Sequence, residues 1–226
     1  METIAERVAA IQTAIQNAAR QSGRAAGEIA LLAVSKTKPD EAVAEAFAAG
    51  QVRFGENRVQ EIERKAPALP DGIEWHLIGP LQKNKVRKVL PHVHSIHSVD
   101  SLKIAERIDR IAGDLGLQPQ IYLQVNVAQD PAKAGFAADE IEAQFDALCT
   151  LKNLQIEGLM TIPAWDPNPE ETRPHFATLR ELRDRLRGRC DLPLPGLSMG
   201  MSGDYQVAIA EGSTMVRVGT AIFGER

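Results

Sequence analysis

The sequence predicts a (β/α)8 barrel preceded by one additional helix. Short apolar runs of strand length alternate with longer stretches whose apolar residues recur at helical spacing. The runs are continuous, which favours strands buried on both faces, as the strands of a parallel sheet are. Eight β–α units make a closed barrel, with an open doubly wound sheet as the structural alternative. The eight runs are IALLAVSK (29–36), VRFGEN (52–57), EWHLIG (74–79), HSIHSV (94–99), IYLQVNV (121–127), IEGLMTI (156–162), LPGLSMG (194–200) and MVRVGTAIF (215–223).

The stretches outside these runs carry the helical part of the pattern. Apolar residues recur every three or four positions near the N-terminus and Gly23 follows them, so residues 1–22 are predicted to form the additional helix. The proline-rich loop at 164–174 is interpreted as an excursion within one domain, which comprises residues 1–226. Further helices are predicted at 39–50, 56–69, 101–116, 138–153, 169–189 and 202–212.

Composition limits the classes of function. The chain has 226 residues, 44% hydrophobic and 25% charged, which is typical of a globular protein. Its net charge of -4 disfavours nucleic acid or an anionic membrane as the main partner. The N-terminal segment METIAERVAA has early acidic residues and no apolar run of signal or membrane length. We therefore expect a cytoplasmic protein without a membrane segment.

Cysteine and histidine residues do not predict a metal site. Cys149 and Cys190 lack metal-type spacing and are interpreted as buried free thiols. The three histidines at 92–97 have no clear carboxylate partner, and a metal site needs converging ligands. His76, inside the third run, is interpreted as a core histidine.

The strongest candidate for chemistry is Lys36, which directly follows the apolar run LLAV. Polar residues at strand ends gather at one mouth of a barrel, where the active sites of such folds lie. A lysine that is partly desolvated there has a lowered pKa, and its neutral amine can attack an aldehyde. One alternative is a lysine that merely extends to solvent. Another is Lys38, which precedes Pro39 and is expected to lie out in the loop.

Two further segments predict an anion site on the last two strands. LSMGMSGD places Ser198 and Ser202 among small residues before a helix, and VRVGTAIFG places Gly219 and Thr220 after the eighth strand. Phosphate sites of barrels recur in the loops after strands seven and eight, and exposed backbone N–H groups bind anions. Alternatively, a serine at this position is only a helix cap.

Arg217 lies within the apolar eighth strand, so its guanidinium needs a buried partner. One interpretation is an ion pair with a neighbouring strand, for example with Glu56. The other is a hydrogen bond to a ring nitrogen or a carboxylate of a ligand.

Taken together, eight motifs resemble the YggS/PROSC family of pyridoxal phosphate homeostasis proteins. They occur in the family's order and span residues 31–226, which makes the combination specific although each motif alone is weak. The motifs are LLAVSKTKP, FGENRVQE, WHLIGPLQKNK, HSVDS, VNVAQDPAKAGF, GLMTIP, LSMGMSGDYQVAI and VRVGTAIFGER.

The resemblance implies a fold-type III barrel, like the N-terminal domain of bacterial alanine racemase, that binds pyridoxal 5'-phosphate (PLP). It implies that Lys36 holds PLP as a Schiff base, that Arg217 faces the pyridine nitrogen, and that Asn57 lies beside the ring. For Lys133, in AKAGF, the resemblance implies a secondary PLP site. The cofactor phosphate is expected near Ser198, Met201, Ser202, Gly219 and Thr220.

The expected function is PLP homeostasis, meaning binding, buffering or delivery of PLP to apo-enzymes, with little or no turnover. A guanidinium can only donate, so Arg217 should keep the ring nitrogen unprotonated and weaken the ring as an electron sink. The sequence ends directly after the eighth strand, so we also expect no second domain that could supply another acid or base, and we expect a monomer. The alternatives are a PLP-dependent amino-acid racemase or decarboxylase, and a cofactor-free barrel enzyme that acts on a sugar phosphate.

Overall fold

The computed structural model describes residues 2–164 and 166–224, in which eight parallel strands close into a barrel in chain order. Each strand pairs with the next, and the last pairs with the first, so the sheet has no open edge. The predicted (β/α)8 class is confirmed, and the open doubly wound alternative is wrong. The strands are β1 (Ala30–Val34), β2 (Arg53–Glu56), β3 (Glu74–Leu77), β4 (Ser95–Val99), β5 (Gln120–Gln124), β6 (Gln155–Met160), β7 (Gly196–Met201) and β8 (Met215–Val218).

Helices connect the strands, and every helix that the sequence predicts is present, with ends that differ by a few residues. The sequence does not predict two four-residue helices, α4 between β3 and β4 and α9 after β8. Within the residues that the structure describes, no helix is both long enough and apolar enough to cross a membrane. The helices are α1 (Ile4–Gln21), α2 (Asp40–Ala48), α3 (Val59–Lys65), α4 (Val86–Val89), α5 (Leu102–Leu115), α6 (Ala138–Cys149), α7 (Arg173–Leu186), α8 (Tyr205–Ala210) and α9 (Thr220–Phe223).

Helix α1 is the predicted additional helix. It begins with a capping box, in which the Thr3 hydroxyl accepts from the Glu6 N–H while the Glu6 carboxylate accepts from the Thr3 N–H. It buries an apolar face that includes Val8 and Ile15 and packs against α2, α8 and α9. The chain leaves the helix through Gly23, whose φ of 70° suits glycine. Helix α1 thus covers the helices that flank the closing β1–β8 pair.

Two packed layers make up the core. The larger layer lies between the barrel and the helices and forms one contiguous apolar cluster. The smaller layer fills the barrel interior and does not belong to that cluster. Its apolar residues are Leu32, Tyr122, Met160 and Met215. The interior also holds buried polar side chains, and these belong to the candidate site described below. A barrel interior filled by side chains is a packed core and not a pore.

Strand register brings the ends of neighbouring strands together at the C-terminal mouth of the barrel. Ala33 of β1 lies opposite Val218 of β8, and Val34 lies opposite Gly55 of β2. The residues that follow β8, β1 and β2 are therefore neighbours in space. Every parallel strand enters at one mouth and leaves at the other, so the loops after the strands share this mouth.

The two cysteines are less buried than the sequence predicts. Both are free thiols, but Cys149 is half-buried and Cys190 is exposed, so the prediction of buried thiols is wrong for Cys190. Cys190 lies in a surface turn after α7 with a φ of 53°, where the chain reverses direction away from the core. Burial, together with the neighbouring Cys190, raises the pKa of the Cys149 thiol to about 12.

Candidate functional site

The end of β1 presents Lys36 at the C-terminal mouth. The chain turns directly after Lys36, because Thr37 has a φ of 64° and the Lys38 N–H donates to the Ser35 carbonyl at 3.1 Å. Lys36 is half-buried at this turn. The rival Lys38 lies in the loop, where its Nζ donates to the carbonyls of Phe223 and Gly224 at 3.1 and 2.9 Å. Lys38 therefore binds the C-terminal end of α9.

A buried ion pair fixes the backbone just before Lys36. The Ser35 hydroxyl donates to Glu56 Oε1 at 2.8 Å, and Lys65 Nζ donates to the same oxygen at 2.7 Å and to the Ser35 carbonyl at 3.1 Å. All three side chains are fully buried. The suggested ion pair between Arg217 and Glu56 is therefore wrong, since Glu56 is held by Ser35 and by Lys65 from α3.

Small residues and hydroxyls gather at the ends of β7 and β8, beside the end of β1. The Gly219 N–H makes a long contact of 3.4 Å with Ser202 Oγ. A Cβ on Gly219 would lie 3.2 Å from the Val34 carbonyl oxygen, whereas one on Gly203 would meet nothing within 4 Å. Met201 and Ser202 are half-buried and Thr220 is exposed, so donors here are within reach of a ligand at the mouth.

Ser198 does not lie with these donors. It is fully buried within β7, three residues before the strand ends at Met201. Its hydroxyl accepts from Arg217 Nη1 at 2.8 Å and lies 2.8 Å from His97 Nδ1. The hydroxyl is thus engaged inside the barrel, and the expectation that Ser198 lies near the cofactor phosphate stays a prediction.

Arg217 is a buried cation held by neutral partners. It is 3% exposed, and its Nη2 donates to the Thr161 carbonyl at 2.8 Å in addition to the Ser198 bond. Burial lowers the pKa of Arg217 to about 10, and the charge of Asp204 acts in the opposite direction. The guanidinium stays charged at neutral pH, yet within residues 2–164 and 166–224 it makes no ion pair.

Two histidines extend this network across the barrel. His97 Nε2 lies 2.9 Å from His76 Nδ1, which links His76, His97, Ser198 and Arg217 into one hydrogen-bonded chain. Burial lowers the pKa of both rings, that of His76 to about 3. The structure thus agrees with the prediction that His76 is a core histidine. His97 is buried, whereas His92 and His94 are exposed, so the three histidines at 92–97 do not share one environment. In the described part of the chain, no three His, Cys, Asp or Glu side chains are placed to hold a metal ion.

Asn57 follows β2 and lies beside the end of β1, as the register of these strands requires. A close backbone approach fixes its position, because a Cβ on Gly79 would lie 2.1 Å from the Asn57 carbonyl oxygen. Only glycine permits this contact between the ends of β2 and β3. Asn57 is half-buried and lines a surface cavity of about 320 Å³.

Lys133 lies at the same mouth but on the other side of the barrel. Its Nζ donates to the Ile162 carbonyl at 3.3 Å, at the end of β6. The Asn126 side chain binds the carbonyls of Asp130 and Lys133 and so closes the loop that carries this lysine. A cavity of about 230 Å³ adjoins Lys133. The order of strands separates it from Lys36 on β1.

The mouth therefore combines three kinds of group that suit one ligand. Lys36 supplies an amine, Arg217 a buried cation without a carboxylate partner in the described chain, and the Ser202–Gly219 pair supplies hydroxyl and N–H donors beside the open space at Gly203. A ligand with a carbonyl group, a ring acceptor and an anionic group matches this donor set. PLP has these three features, so the residues present fit the cofactor that the sequence motifs imply.

Comparison with known proteins supports this assignment of chemistry. The family model described as the N-terminal domain of alanine racemase matches residues 9–226. The pyridoxal phosphate homeostasis protein of Pseudomonas aeruginosa is 47% identical over 230 residues, covering 100% of this chain and 97% of the relative. Its counterpart in Escherichia coli K12 is 43% identical over 233 residues, covering 100% and 98%.

Comparison with solved structures gives the same fold. PipY of Synechococcus elongatus PCC7942 without PLP matches with a TM-score of 0.90 and 44% identity, over 98% of this chain and 100% of that chain. PipY with PLP bound matches with a TM-score of 0.87 and 42% identity over the same shares. Alanine racemase of Clostridium difficile 630, at 18% identity and a TM-score of 0.69, covers 95% of this chain and 56% of its own, and it shares the fold alone. The chain belongs to the family of pyridoxal phosphate homeostasis proteins, which is built on the barrel of the alanine racemase N-terminal domain.

Proposed function

We propose that this chain binds PLP covalently through Lys36 and serves PLP homeostasis by buffering the cofactor or delivering it to apo-enzymes, with little or no turnover. The observation that carries the proposal is the position of Lys36, half-buried at the C-terminal mouth beside the Ser202 hydroxyl and the Gly219 N–H at the ends of β7 and β8. The relatives named as homeostasis proteins and the PLP-bound PipY structure support the same assignment.

Each part of the site has a separate role in this proposal. Lys36 provides the amine that condenses with the cofactor's aldehyde, and the Ser35–Glu56–Lys65 cluster keeps the backbone before it in place. Asn57, beside the end of β1, lies next to the ring. The phosphate binds to Ser202, Gly219 and Thr220, with Met201 adjoining, whereas Ser198 supports the guanidinium of Arg217.

Arg217 is the reason to expect little turnover. PLP supplies an aldehyde that condenses with amines and a ring that withdraws electrons from a bound amino acid when its nitrogen is protonated. The guanidinium of Arg217 only donates, and Ser198 and Thr161 orient it. We propose that it donates to the ring nitrogen and so prevents protonation there.

The covalent link is tested by borohydride reduction of the protein loaded with PLP, followed by peptide mass spectrometry. The expected result is one reduced PLP adduct on Lys36, absent from Lys36→Ala. Lys38→Ala is the matched control, since Lys38 binds the end of α9, and it should keep the adduct. An adduct on Lys38 instead, or none on Lys36, overturns the proposal. A second adduct on Lys133 would identify a second attachment point there.

Low turnover has its own test. The PLP-loaded protein is incubated with each common amino acid, and chirality and decarboxylation are followed by chromatography. The expected rates do not exceed those of free PLP with Lys36→Ala protein. Fast racemisation or decarboxylation that disappears in Lys36→Ala would favour the enzyme alternative while leaving PLP binding intact.

Delivery is tested by mixing the loaded protein with an apo-enzyme that uses PLP and measuring recovered activity. Borohydride-reduced protein is the control, because its cofactor can no longer leave. Recovery with the loaded protein, and none with the reduced protein, is expected for a donor. Equal recovery in both would reject delivery and leave buffering as the role.

A further inference from the structure

A second polar cavity lies at the opposite, N-terminal mouth of the barrel. It has a volume of about 380 Å³ and is lined by residues from the beginnings of the strands around the barrel axis. One water takes roughly 30 Å³, so the cavity is large enough for a small organic molecule. Barrel proteins place their active sites at the C-terminal mouth, so the proposed PLP site does not account for this cavity.

His76 gives this cavity a buried ring nitrogen without a partner in the described residues. The ring is 1% exposed and lines the cavity, and its Nε2 has no hydrogen-bond partner within the described residues. Its other nitrogen lies 2.9 Å from His97 Nε2. A buried polar atom that is left unpaired is costly, and a ligand that bonds to it recovers that cost.

The hydrogen-bonded chain assigns the proton on that nitrogen. Arg217 can only donate, so Ser198 Oγ accepts from it and must place its own hydrogen on another acceptor. Within this hydrogen-bonded network the acceptor is Nδ1 of His97, so the proton of the His97 ring lies on its Nε2.

From Nε2, His97 donates to Nδ1 of His76, so the proton of His76 lies on its own unpartnered Nε2. The reverse order would leave the buried Ser198 hydrogen without an acceptor. Every link then donates away from the Arg217 cation, and successive hydrogen bonds of one sense strengthen each other. His76, which lines the cavity, thus carries a polarised N–H donor without a partner in the described residues.

Besides Glu28, which pairs with Arg24, the other charges of the cavity define what this donor would bind. Arg53 lines the cavity, and its Nε pairs with Glu74 at 2.9 Å. Tyr122 adds a buried phenol, and its ring lies 4.4 Å from the His97 ring. Glu157 is half-buried in the same lining, and it has no hydrogen bond or ion pair within the described residues. An isolated anion would be repelled by Glu157, whereas a zwitterion satisfies both the donors and the carboxylate.

We propose that the N-terminal mouth binds a small free amino acid, with its carboxylate on His76 Nε2–H and Arg53 and its ammonium group on Glu157. The site does not share a residue with the proposed PLP site, and the proposal stands whether or not Lys36 binds PLP. The hydrogen-bonded network from His76 through His97 and Ser198 to Arg217 connects the two mouths.

The proposal is tested by NMR on protein with 15N-labelled histidine, which reports the tautomer of each ring. We expect protons on Nε2 of both His76 and His97. Addition of L-alanine should shift the His76 resonances in a saturable way below about 50 mM, while the exposed His92 serves as an internal reference. Acetate should bind about tenfold more weakly than alanine, since it lacks the ammonium group.

Glu157→Gln removes the partner of the ammonium group and should weaken alanine about tenfold, whereas acetate, which Glu157 repels, should bind no more weakly than before. Glu106→Gln, on the exposed face of α5, is the matched control and should change neither. A His76 proton on Nδ1 would reject the assigned donor. No saturable shift with alanine would reject the amino-acid site, and an equal response in Glu157→Gln would reject the zwitterion.

Discussion

Two buried cations near the C-terminal mouth are held in opposite ways. Lys65 is fully buried and pairs with the equally buried Glu56 at 2.7 Å. Arg217 is 3% exposed, and its hydrogen-bond partners are a hydroxyl and a carbonyl, with no ion pair in residues 2–164 and 166–224. One charge is therefore neutralised within the protein, and the other is not.

The difference separates structural from functional charge. A buried ion pair neutralises its own charges, so the Lys65–Glu56 pair can hold the backbone at Ser35 without any ligand. A buried cation with neutral partners keeps part of its desolvation cost, which appears as a pKa of Arg217 lowered to about 10. A ligand acceptor can recover this cost, which makes Arg217 the better candidate for contact with a bound ring.

The largest expected effect comes from breaking the neutralised pair. Lys65→Met leaves the Glu56 carboxylate buried without its cation and should lower the free energy of unfolding by about 3–5 kcal/mol. Urea unfolding at neutral pH measures this change. Arg217→Met removes an uncompensated cation and should cost less than about 2 kcal/mol, since it leaves only neutral partners unpaired.

The double variant Lys65→Met, Glu56→Gln is the control for that experiment. Neutralising both partners should restore most of the lost stability, since no uncompensated charge remains. If Arg217→Met proved as destabilising as Lys65→Met, the two cations would not differ in the way described.

The pH dependence of stability tests the hydrogen-bonded network of His76, His97 and Ser198 that supports Arg217. Burial holds the pKa of His76 near 3, whereas an unfolded histidine has a pKa of about 6.5. Below pH 6.5 the unfolded chain therefore binds protons that the folded chain does not, so stability falls as the pH drops from 6.5 towards 3. His76 should contribute about 1.4 kcal/mol per pH unit in this window.

His76→Gln should remove its own share, about 2 kcal/mol of the stability lost between pH 7 and pH 5. Urea unfolding at the two pH values measures it, and His92→Gln at an exposed position is the matched control. An unchanged pH dependence in His76→Gln would mean that His76 does not remain neutral in the folded barrel.

Much of the fold could be predicted because it depends on local pattern. Continuous apolar runs mark strands buried on both faces, and all eight lie where the sequence predicts them. Helix α4 could not be predicted, since its four residues, Val86–Val89, are too few for a periodic pattern. The segment 215–223 reads as one apolar run, yet β8 ends at Val218 and α9 begins at Thr220.

The site could be predicted only in part, because side-chain partners depend on contacts between distant elements. Lys36 follows from its place after an apolar strand. Lys65 lies in a charged helix segment that resembles a solvated face, and its burial against Glu56 comes from tertiary packing. A register irregularity between β7 and β8 separates Ser198 from Met201, so neighbouring residues of one motif have different surroundings.

The uncompensated cation should matter more for binding than for folding. Arg217→Met should weaken PLP binding about 10–100-fold, since the ring nitrogen loses a charge-assisted donor. Fluorescence titration of the cofactor-free protein measures the affinity. Arg217→Lys is the matched variant, which keeps the charge but loses the planar donor pair, and it should lie between the two. Unchanged affinity in Arg217→Met would remove Arg217 from the cofactor site.

The smallest expected effect distinguishes the two serines of one motif. Ser202→Ala should weaken PLP about tenfold and leave pyridoxal, which lacks the phosphate, nearly unchanged, because Ser202 adjoins the Gly219 N–H at the mouth. Ser198→Ala should weaken both ligands equally, because its hydroxyl supports Arg217 inside the barrel. Paired titrations of PLP and pyridoxal measure both variants. Phosphate selectivity lost in Ser198→Ala but kept in Ser202→Ala would reverse the assignment, and Ser198 would then be the residue that contacts the phosphate.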